Sequence, residues 1–176
     1  AKLSYYQELI ENFLSPQQGP DQRVLDMLNV KYITSNYAPG LPNAQAVYNG
    51  QQGAVYRNNS VLPKAFFVDS VMTSQSASST LDMMKSSQFN PAKNAIVRTS
   101  ESITSTADTT SRAEVESYGP RRIDLNVSRS EPGFMVLSEV YYPEGWRAYI
   151  DGQETPIHKT NYVLRGIEVP EGDHEI

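Results

Sequence analysis

Aromatic and cationic side chains are concentrated between positions 141 and 165 of the sequence. In a β-strand, successive side chains point to opposite faces. Over Trp146–Ile150 this alternation predicts a buried face with Trp146 and an exposed or half-exposed face with Arg147 and Tyr149. Aromatic rings of this kind suit sugar faces and protein interfaces alike. The candidate ligand-binding residues of the chain are Tyr142, Trp146, Arg147, Tyr149, Asp151, Asn161 and Arg165.

The same aromatic residues have a purely structural interpretation. Rings at the centre of a strand-rich region are usually part of a hydrophobic core. On this interpretation, which we favour, a cluster of five rings fills the space between two sheets, namely Tyr141, Tyr142, Trp146, Tyr149 and Tyr162. Asp151 likewise has an ordinary structural role, because Asp151-Gly152 is a strong signal for a tight hairpin turn.

Arg165 lies within an otherwise apolar row, with Val163, Ile167 and Val169 on the same strand face. A buried guanidinium is costly unless its charge is paired. The favoured interpretation is an ion pair with one of three acids, namely Asp151, Glu139 or Glu154. The functional alternative is that Arg165 faces a cleft and holds an anionic or hydroxyl-rich ligand through its planar fork of donors.

The sequence predicts no catalytic residue, no metal site and no cofactor. Motifs for nucleotide binding, serine hydrolysis and zinc-dependent hydrolysis do not occur. The two histidines, His158 and His174, fall on separate predicted strands, and Glu114 and Glu116 share one solvated strand face. Without a nucleophile–base set or a metal cluster, an independent hydrolase is disfavoured.

The composition indicates an ordered globular chain and excludes some classes of binding partner. The chain has 176 residues, of which 39% are hydrophobic, and a net charge of -5. Fifteen basic against twenty acidic residues leave no excess to bind phosphates, so we predict no nucleic-acid partner. The absence of cysteine excludes disulfides and thiol nucleophiles. Apolar runs are far shorter than the ~20 residues that a spanning helix needs.

The first part of the chain reads as mixed helix and strand. Apolar residues recur at helical spacing from Leu3 to Leu14, including Tyr6, Ile10 and Phe13. A second short helix follows Pro20. Further along, a pair of strands at 54–57 and 64–68, a helix capped at Ser79 and a strand at 95–97 are predicted.

From residue 112 onward the pattern is nearly continuous β, with turns every eight to twelve residues. Ile123, Leu125 and Val127 give the clearest alternation. We therefore predict an α+β fold: N-terminal helices with a small sheet, followed by a C-terminal antiparallel β-sandwich of jelly-roll-like type. The predicted organisation is an N-terminal portion at 1–98, a polar mobile loop or boundary at 99–111 (alternatively an edge strand seated by Ile103), and a β-sandwich portion at 112–176.

Four segments, in order along the chain, resemble the C-terminal extracytoplasmic region of the YfhO family of bacterial multi-pass membrane proteins. One of them, 141–152, is similar to the family signature YYPGWKAYVDG, with Glu144 inserted before the glycine. The others resemble its LNVKYII, LPRAFFV and N-Y-hydrophobic-R/VPxGxH segments, and are found at 25–33, 62–68 and 161–174.

This resemblance implies a non-catalytic domain on the outer face of the cytoplasmic membrane, or in the periplasm. Its partner would be the membrane-embedded portion of the same polypeptide, related to lipid-phosphate-sugar-dependent glycosyltransferases. The domain would help to recognise a cell-envelope glycan acceptor; the alternative is a structural or protein-interaction ectodomain with no ligand of its own. Both chain ends read as cut, so we expect a piece of a longer protein.

Overall fold

The computed structural model describes residues 2–15 and 19–176 of the chain. The chain divides into two compact units, Ala1–Pro63 and Lys64–Ile176. This division differs from the sequence-based one, which places the boundary at 99–111. The reason is that strands before and after the polar stretch pair within one sheet, and such pairing leaves no pattern in the local sequence.

The first unit has two short helices and a three-stranded antiparallel sheet. Helix α1 (Lys2–Leu9) continues into a π-helical turn (Ile10–Leu14), and α2 spans Gln22–Met27. The strands are β1 (Tyr32–Ser35), β2 (Ala44–Gly50) and β3 (Gly53–Asn58), and β3 lies in the middle. Asp21 begins α2, because its carboxylate accepts the backbone N–H of Arg23 at 2.8 Å.

The buried side of the first helix differs from the predicted stripe. Leu9 and Phe13 are buried, whereas Tyr6 is exposed. The π-helical turn changes the angular spacing of residues after Leu9, which a regular 3.6-residue pattern does not anticipate. Pro16 and the side chain of Leu3, which also enter the prediction, lie outside the described residues.

A polar network that the sequence did not reveal holds α2 to the end of β3. One carboxylate oxygen of the buried Asp26 accepts hydrogen bonds from Gln22, Asn58 and Ser60 at 2.8–2.9 Å. Asn58 is itself buried and also donates to the carbonyl of Val30. These bonds give the buried side chains of Asp26 and Asn58 hydrogen-bond partners, as buried polar groups require.

The second unit contains helix α3 and eleven strands. The helix spans Ala77–Lys85. The strands are β4 (Ala65–Val68), β5 (Ser70–Ser74), β6 (Asn94–Arg98), β7 (Arg112–Tyr118), β8 (Ile123–Arg129), β9 (Gly133–Leu137), β10 (Ala148–Ile150), β11 (Gln153–Thr155), β12 (His158–Thr160), β13 (Leu164–Val169) and β14 (Gly172–Glu175).

These strands form a six-stranded sheet, a three-stranded sheet and a hairpin. The orders are β4-β9-β13-β12-β6-β5 and β14-β8-β7, and the hairpin pairs β10 with β11. The predicted pairing of 54–57 with 64–68 is wrong: β3 pairs with β1 and β2, and β4 pairs with β9. Strands that follow each other in sequence need not pair. Here the chain passes from the first unit to the second between β3 and β4, so these strands belong to different sheets.

One parallel pair interrupts the antiparallel pattern. β5 and β6 run parallel, with α3 as the crossover between them. The helix begins one turn earlier than predicted, because Ser76, not Ser79, is its N-cap. Ser76 accepts the backbone N–H of Ser79 at 3.0 Å, and the Ser79 hydroxyl accepts that of Ser76 at 3.1 Å.

The inner faces of the two larger sheets of the second unit share a hydrophobic core. Its buried residues come from four strands, β4, β8, β9 and β13, and are Ala65, Leu125, Val127, Met135, Ile167 and Val169. Ala113, Val115 and Ile123 pack against them, as the alternation along β7 and β8 predicts. The predicted α+β, β-sandwich-like fold is confirmed.

The polar stretch at 99–111 is a loop held by defined contacts and forms no strand. Ile103 is buried. The Ser105 hydroxyl donates to the carbonyl of Val68 at 2.5 Å and accepts the N–H of Phe134 at 3.0 Å. The buried Arg129 donates to the carbonyl of Thr106 at 2.7 Å. The loop is therefore tied to β4, β8 and β9 of its own unit.

None of the helices in the described part of the chain is both long enough and apolar enough to span a membrane.

Candidate functional site

A cleft of about 990 Å³ opens between the sheets of the second unit. Its apolar lining comes from β8, β9, β13 and the segment before β12, and comprises Ile123, Leu125, Met135, Leu137, Ile157 and Ile167. Most ligand pockets are apolar cavities of this size with a few polar groups that fix orientation. The polar groups here lie mainly on the segment 145–149, on β13 and around the β7–β8 turn.

Four of the seven sequence-predicted residues line the cleft: Trp146, Arg147, Tyr149 and Arg165. The predicted alternation along this segment is confirmed, because Trp146 is half-buried while Arg147 and Tyr149 are exposed. Tyr142, at 42% exposure, does not line the cleft, and neither it nor Tyr149 is part of a core. The interpretation of all five rings as core is therefore wrong; Tyr162 alone among them is fully buried.

Arg165 is the most unusual residue of the cleft. It is only 5% exposed, and its guanidinium carbon lies 4.2 Å from the centroid of the Trp146 ring. This distance is typical of a cation–π contact. Nε donates to the carbonyl of Val140 at 3.0 Å. Burial lowers the pKa of Arg165, and the negative charge of Glu139 offsets part of that effect.

None of the three predicted acids forms an ion pair with Arg165 in the described structure. Glu139 instead binds Lys64 Nζ at 2.6 Å and accepts the Tyr118 hydroxyl at 2.6 Å. Burial raises the pKa of Glu139, but these hydrogen bonds outweigh it, so the net pKa is lowered and the residue stays ionised. Glu139 acts on Arg165 only as a nearby charge.

Arg147, the exposed cation of the segment 145–149, has its own acidic partner. Arg147 Nη1 lies 3.4 Å from Glu154 Oε2 across the β10–β11 hairpin. Both side chains are more than half exposed, so the pair contributes at most about 1 kcal/mol to stability. Either partner can therefore turn toward a ligand at little cost.

Asp151 is at the tip of that hairpin and outside the main cleft. Its φ of 51° and the φ of 81° at Gly152 are the positive values that the predicted turn requires. Its carboxylate binds His174 Nδ1 at 2.6 Å and accepts the N–H of Glu175 at 2.9 Å. Asp151 thus joins the hairpin to β14 instead of facing a ligand in the cleft.

Asn161 has a structural role in the second unit. It is fully buried with a φ of 45°, and its Oδ1 accepts the N–H of Ile96 at 2.8 Å. Its backbone N–H donates to the carbonyl of Ile96. These two bonds connect the β12–β13 turn to β6 and place Asn161 away from the cleft lining.

Several polar residues of the cleft were not anticipated from sequence. Arg121 and Arg122 line it from the β7–β8 turn, and Arg122 pairs with Asp124 at 2.7 Å. Hydrogen bonds from Ser117 and then Arg122 lower the pKa of Asp124. Turn residues carry no periodic signal, so only the placement of the turn above the cleft identifies them.

Within the described residues, no three His, Asp or Glu side chains approach one another closely enough to hold a metal ion. His158 and His174 belong to different sheets, as β12 and β14 do. The cleft can bind through its apolar walls, its aromatic rings and its guanidinium groups.

Fold and site together define an α+β protein whose β-sandwich unit carries an open cleft lined by aromatic and arginine side chains. No family model, no curated protein and no solved structure matches this chain.

Proposed function

We propose that this chain is a non-catalytic, extracytoplasmic binding domain that recognises a cell-envelope glycan acceptor through the cleft of its β-sandwich unit. The observation that carries the proposal is the cleft itself, with Trp146 and Tyr149 beside the guanidinium groups of Arg147 and Arg165. Aromatic rings bind the apolar faces of sugars, and guanidinium groups donate to their oxygens. The resemblance to the YfhO family supports the same function.

Exposure of the aromatic residues favours this function over a purely structural one. If the rings only filled a core, they would be buried and the space between the sheets would be closed. Tyr149 is 44% exposed, and the cleft between the sheets is open. The cleft also combines apolar walls with few polar groups, as carbohydrate and small-molecule sites do.

The proposal is tested by measuring whether the 176-residue chain binds to an array of bacterial envelope glycans. Glycans that bind would then be titrated by calorimetry against wild type, Tyr149→Ala and Tyr48→Ala. Tyr48 is also exposed, at 62% against 44% for Tyr149, but belongs to the other unit, so it is the control. We expect Tyr149→Ala to raise Kd by about tenfold, equivalent to about 1.4 kcal/mol, and Tyr48→Ala to leave it unchanged. Failure of every glycan to bind contradicts the function.

A cysteine-free chain allows the proposed location to be tested directly. A single cysteine introduced at the exposed Ser87 would be the sole thiol among these 176 residues. In intact cells carrying the full gene, a membrane-impermeant maleimide should label Ser87→Cys as completely as it does after lysis. Labelling only after lysis would place the domain inside the cell and refute the location.

One observation favours the alternative function, a protein-interaction ectodomain. The first unit exposes four large side chains on or beside its three-stranded sheet, namely Tyr32, Tyr37, Val47 and Tyr48. Exposed aromatic residues are enriched at protein interfaces. A photo-crosslinker at position 48 of the full-length gene product would test whether this surface contacts the membrane-embedded portion. Crosslinking there, together with no glycan binding, would favour this alternative.

A further inference from the structure

The guanidinium of Arg165 is incompletely satisfied at the edge of the cleft. A guanidinium carries five N–H donors, and among the described residues only the donor on Nε has a hydrogen-bond partner. The terminal atoms Nη1 and Nη2 are not fully enclosed by the protein. They therefore retain some access to the cleft that Arg165 lines. The side chain is nonetheless 95% removed from solvent, since it is only 5% exposed.

Such a group binds an oxyanion better than it binds water. Burial has already removed most of the hydration of Arg165, and the Trp146 ring holds the guanidinium plane on one side. The entropic cost of fixing the side chain is therefore met in the unliganded protein. A carboxylate or phosphate can accept two parallel N–H bonds from a guanidinium, and these bonds are about twice as strong as neutral ones.

The other charges of the cleft indicate one localised anion site. Arg122 is neutralised by Asp124 and Arg147 by Glu154, at 2.7 and 3.4 Å. The remaining lining cations, Arg121 and Arg165, are balanced in number by Glu116 and Glu175. Because the cleft as a whole has no basic excess, a polyanion would gain little there, whereas a single oxyanion beside Arg165 would meet a preorganised donor pair.

We infer that the ligand carries one oxyanion substituent, a carboxylate or a phosphate on a sugar ring, which binds Nη1 and Nη2 of Arg165 while the ring contacts the neighbouring aromatic residues. This inference rests on the proposed glycan-binding function and specifies the chemical class of its ligand. Trp146 holds the guanidinium in place and, as the single tryptophan of the chain, reports on the site.

Intrinsic fluorescence of Trp146 gives a titration specific to this end of the cleft. The probes are three methyl glycosides of glucose and three of galactose: the neutral sugar, its uronate and its 6-phosphate. In wild type at constant ionic strength, we expect at least one acid of a series to bind about tenfold more tightly than its neutral counterpart. Which acid gains identifies the oxyanion as carboxylate, phosphate or both.

Variants test whether the preference for acidic over neutral sugars depends on Arg165. Arg165→Gln should abolish it while leaving the weaker neutral binding in place, and Arg165→Lys should restore only part of it, since a lysine lacks the planar fork. Arg121→Gln, a second lining cation, should leave it unchanged. Near-UV circular dichroism checks folding; if Arg165→Gln does not fold, the wild-type preference and the Arg165→Lys and Arg121→Gln titrations still decide.

Equal binding of acids and neutral sugars overturns the inference but leaves the glycan-binding function intact. Loss of the preference in Arg121→Gln but not in the Arg165 variants also overturns it. If neither these probes nor any glycan on the array binds, the inference and the proposed function fail together.

Discussion

Both ring nitrogens of His174 face acceptors, and the nearer acceptor is Asp151: Nδ1 lies 2.6 Å from its carboxylate, and Nε2 lies 3.0 Å from the carbonyl of Glu171. A neutral imidazole donates from one nitrogen only, so both contacts are hydrogen bonds only when the ring is protonated. The hydrogen bond that His174 donates to Asp151 is the main cause that raises the pKa of His174, and the same bond lowers the pKa of Asp151. The pair links the β10–β11 hairpin to β14.

The stabilising effect of this pair should depend on pH. Because the folded-state pKa of His174 is raised from 6.5, its contribution is fully present below that pH and is lost as pH rises through the folded value. Because the pKa of Asp151 is lowered from 3.8, its contribution is present above that pH and is lost as pH falls further. The free-energy difference between wild type and His174→Gln in urea unfolding should therefore be largest near about pH 5 and smaller at about pH 9.

A double-mutant cycle with Asp151→Asn separates this pair from neighbouring charges. His174 and Asp151 line a shallow surface pocket, in which the other charged residues are Arg112, Glu114, Asp173 and Glu175. Coupling between positions 151 and 174 should follow the same pH profile. Coupling that is equal at both pH values would contradict a contribution that depends on protonation of the ring.

Trp146 should stabilise the fold mainly through its contact with Arg165. Trp146→Ala removes the ring and leaves a buried guanidinium with one hydrogen bond, so we expect a loss of about 1–3 kcal/mol in unfolding free energy. Trp146→Phe keeps an aromatic face and should recover part of the loss. Unfolding would be followed by circular dichroism, since the variants lack the fluorophore. Equal stability of all three proteins would show that the stacking contributes nothing.

Arg129 should hold the 99–111 loop in place. It is 4% exposed, donates to the carbonyls of Thr106 and Glu131, and lies 4.5 Å from the centroid of the Phe67 ring. Arg129→Met should cost about 2–3 kcal/mol through the lost bonds and ring contact. Amide exchange at 103–108 should accelerate in this variant and not in the exposed control Arg121→Met. Unchanged exchange would mean that other contacts suffice to order the loop.

Gly166 is required by close packing in the six-stranded sheet. A Cβ at this position would lie closer than van der Waals contact to the Phe134 ring and the Thr160 hydroxyl, both of them buried. Gly166→Ala should therefore destabilise the second unit by about 1–3 kcal/mol. In Gly119→Ala the nearest atom would be a carbonyl oxygen at 3.5 Å, an ordinary contact, so little change is expected. Thermal unfolding of the two variants compares them directly.

The candidate site was partly predictable because alternation is a local property. The side-chain parity of a strand placed Trp146 opposite Arg147 and Tyr149, and it placed Arg165 on the inner face of β13. The same parity extends the row Ile123, Leu125 and Val127 to Arg129, which is buried too. That signal was present in the sequence, although the carbonyls and the ring that receive Arg129 come from distant segments.

Sequence by itself determined the local features of this protein: the Asp151-Gly152 turn, the α3 region and the strand faces that become a sandwich core, because each follows from backbone preferences over a few residues. Tertiary structure decided which groups meet. Glu139 binds Lys64 and Tyr118, while Arg165 stacks on Trp146. Strand order and the division after Pro63 likewise depend on contacts between residues far apart in the chain, whose energies no local pattern records.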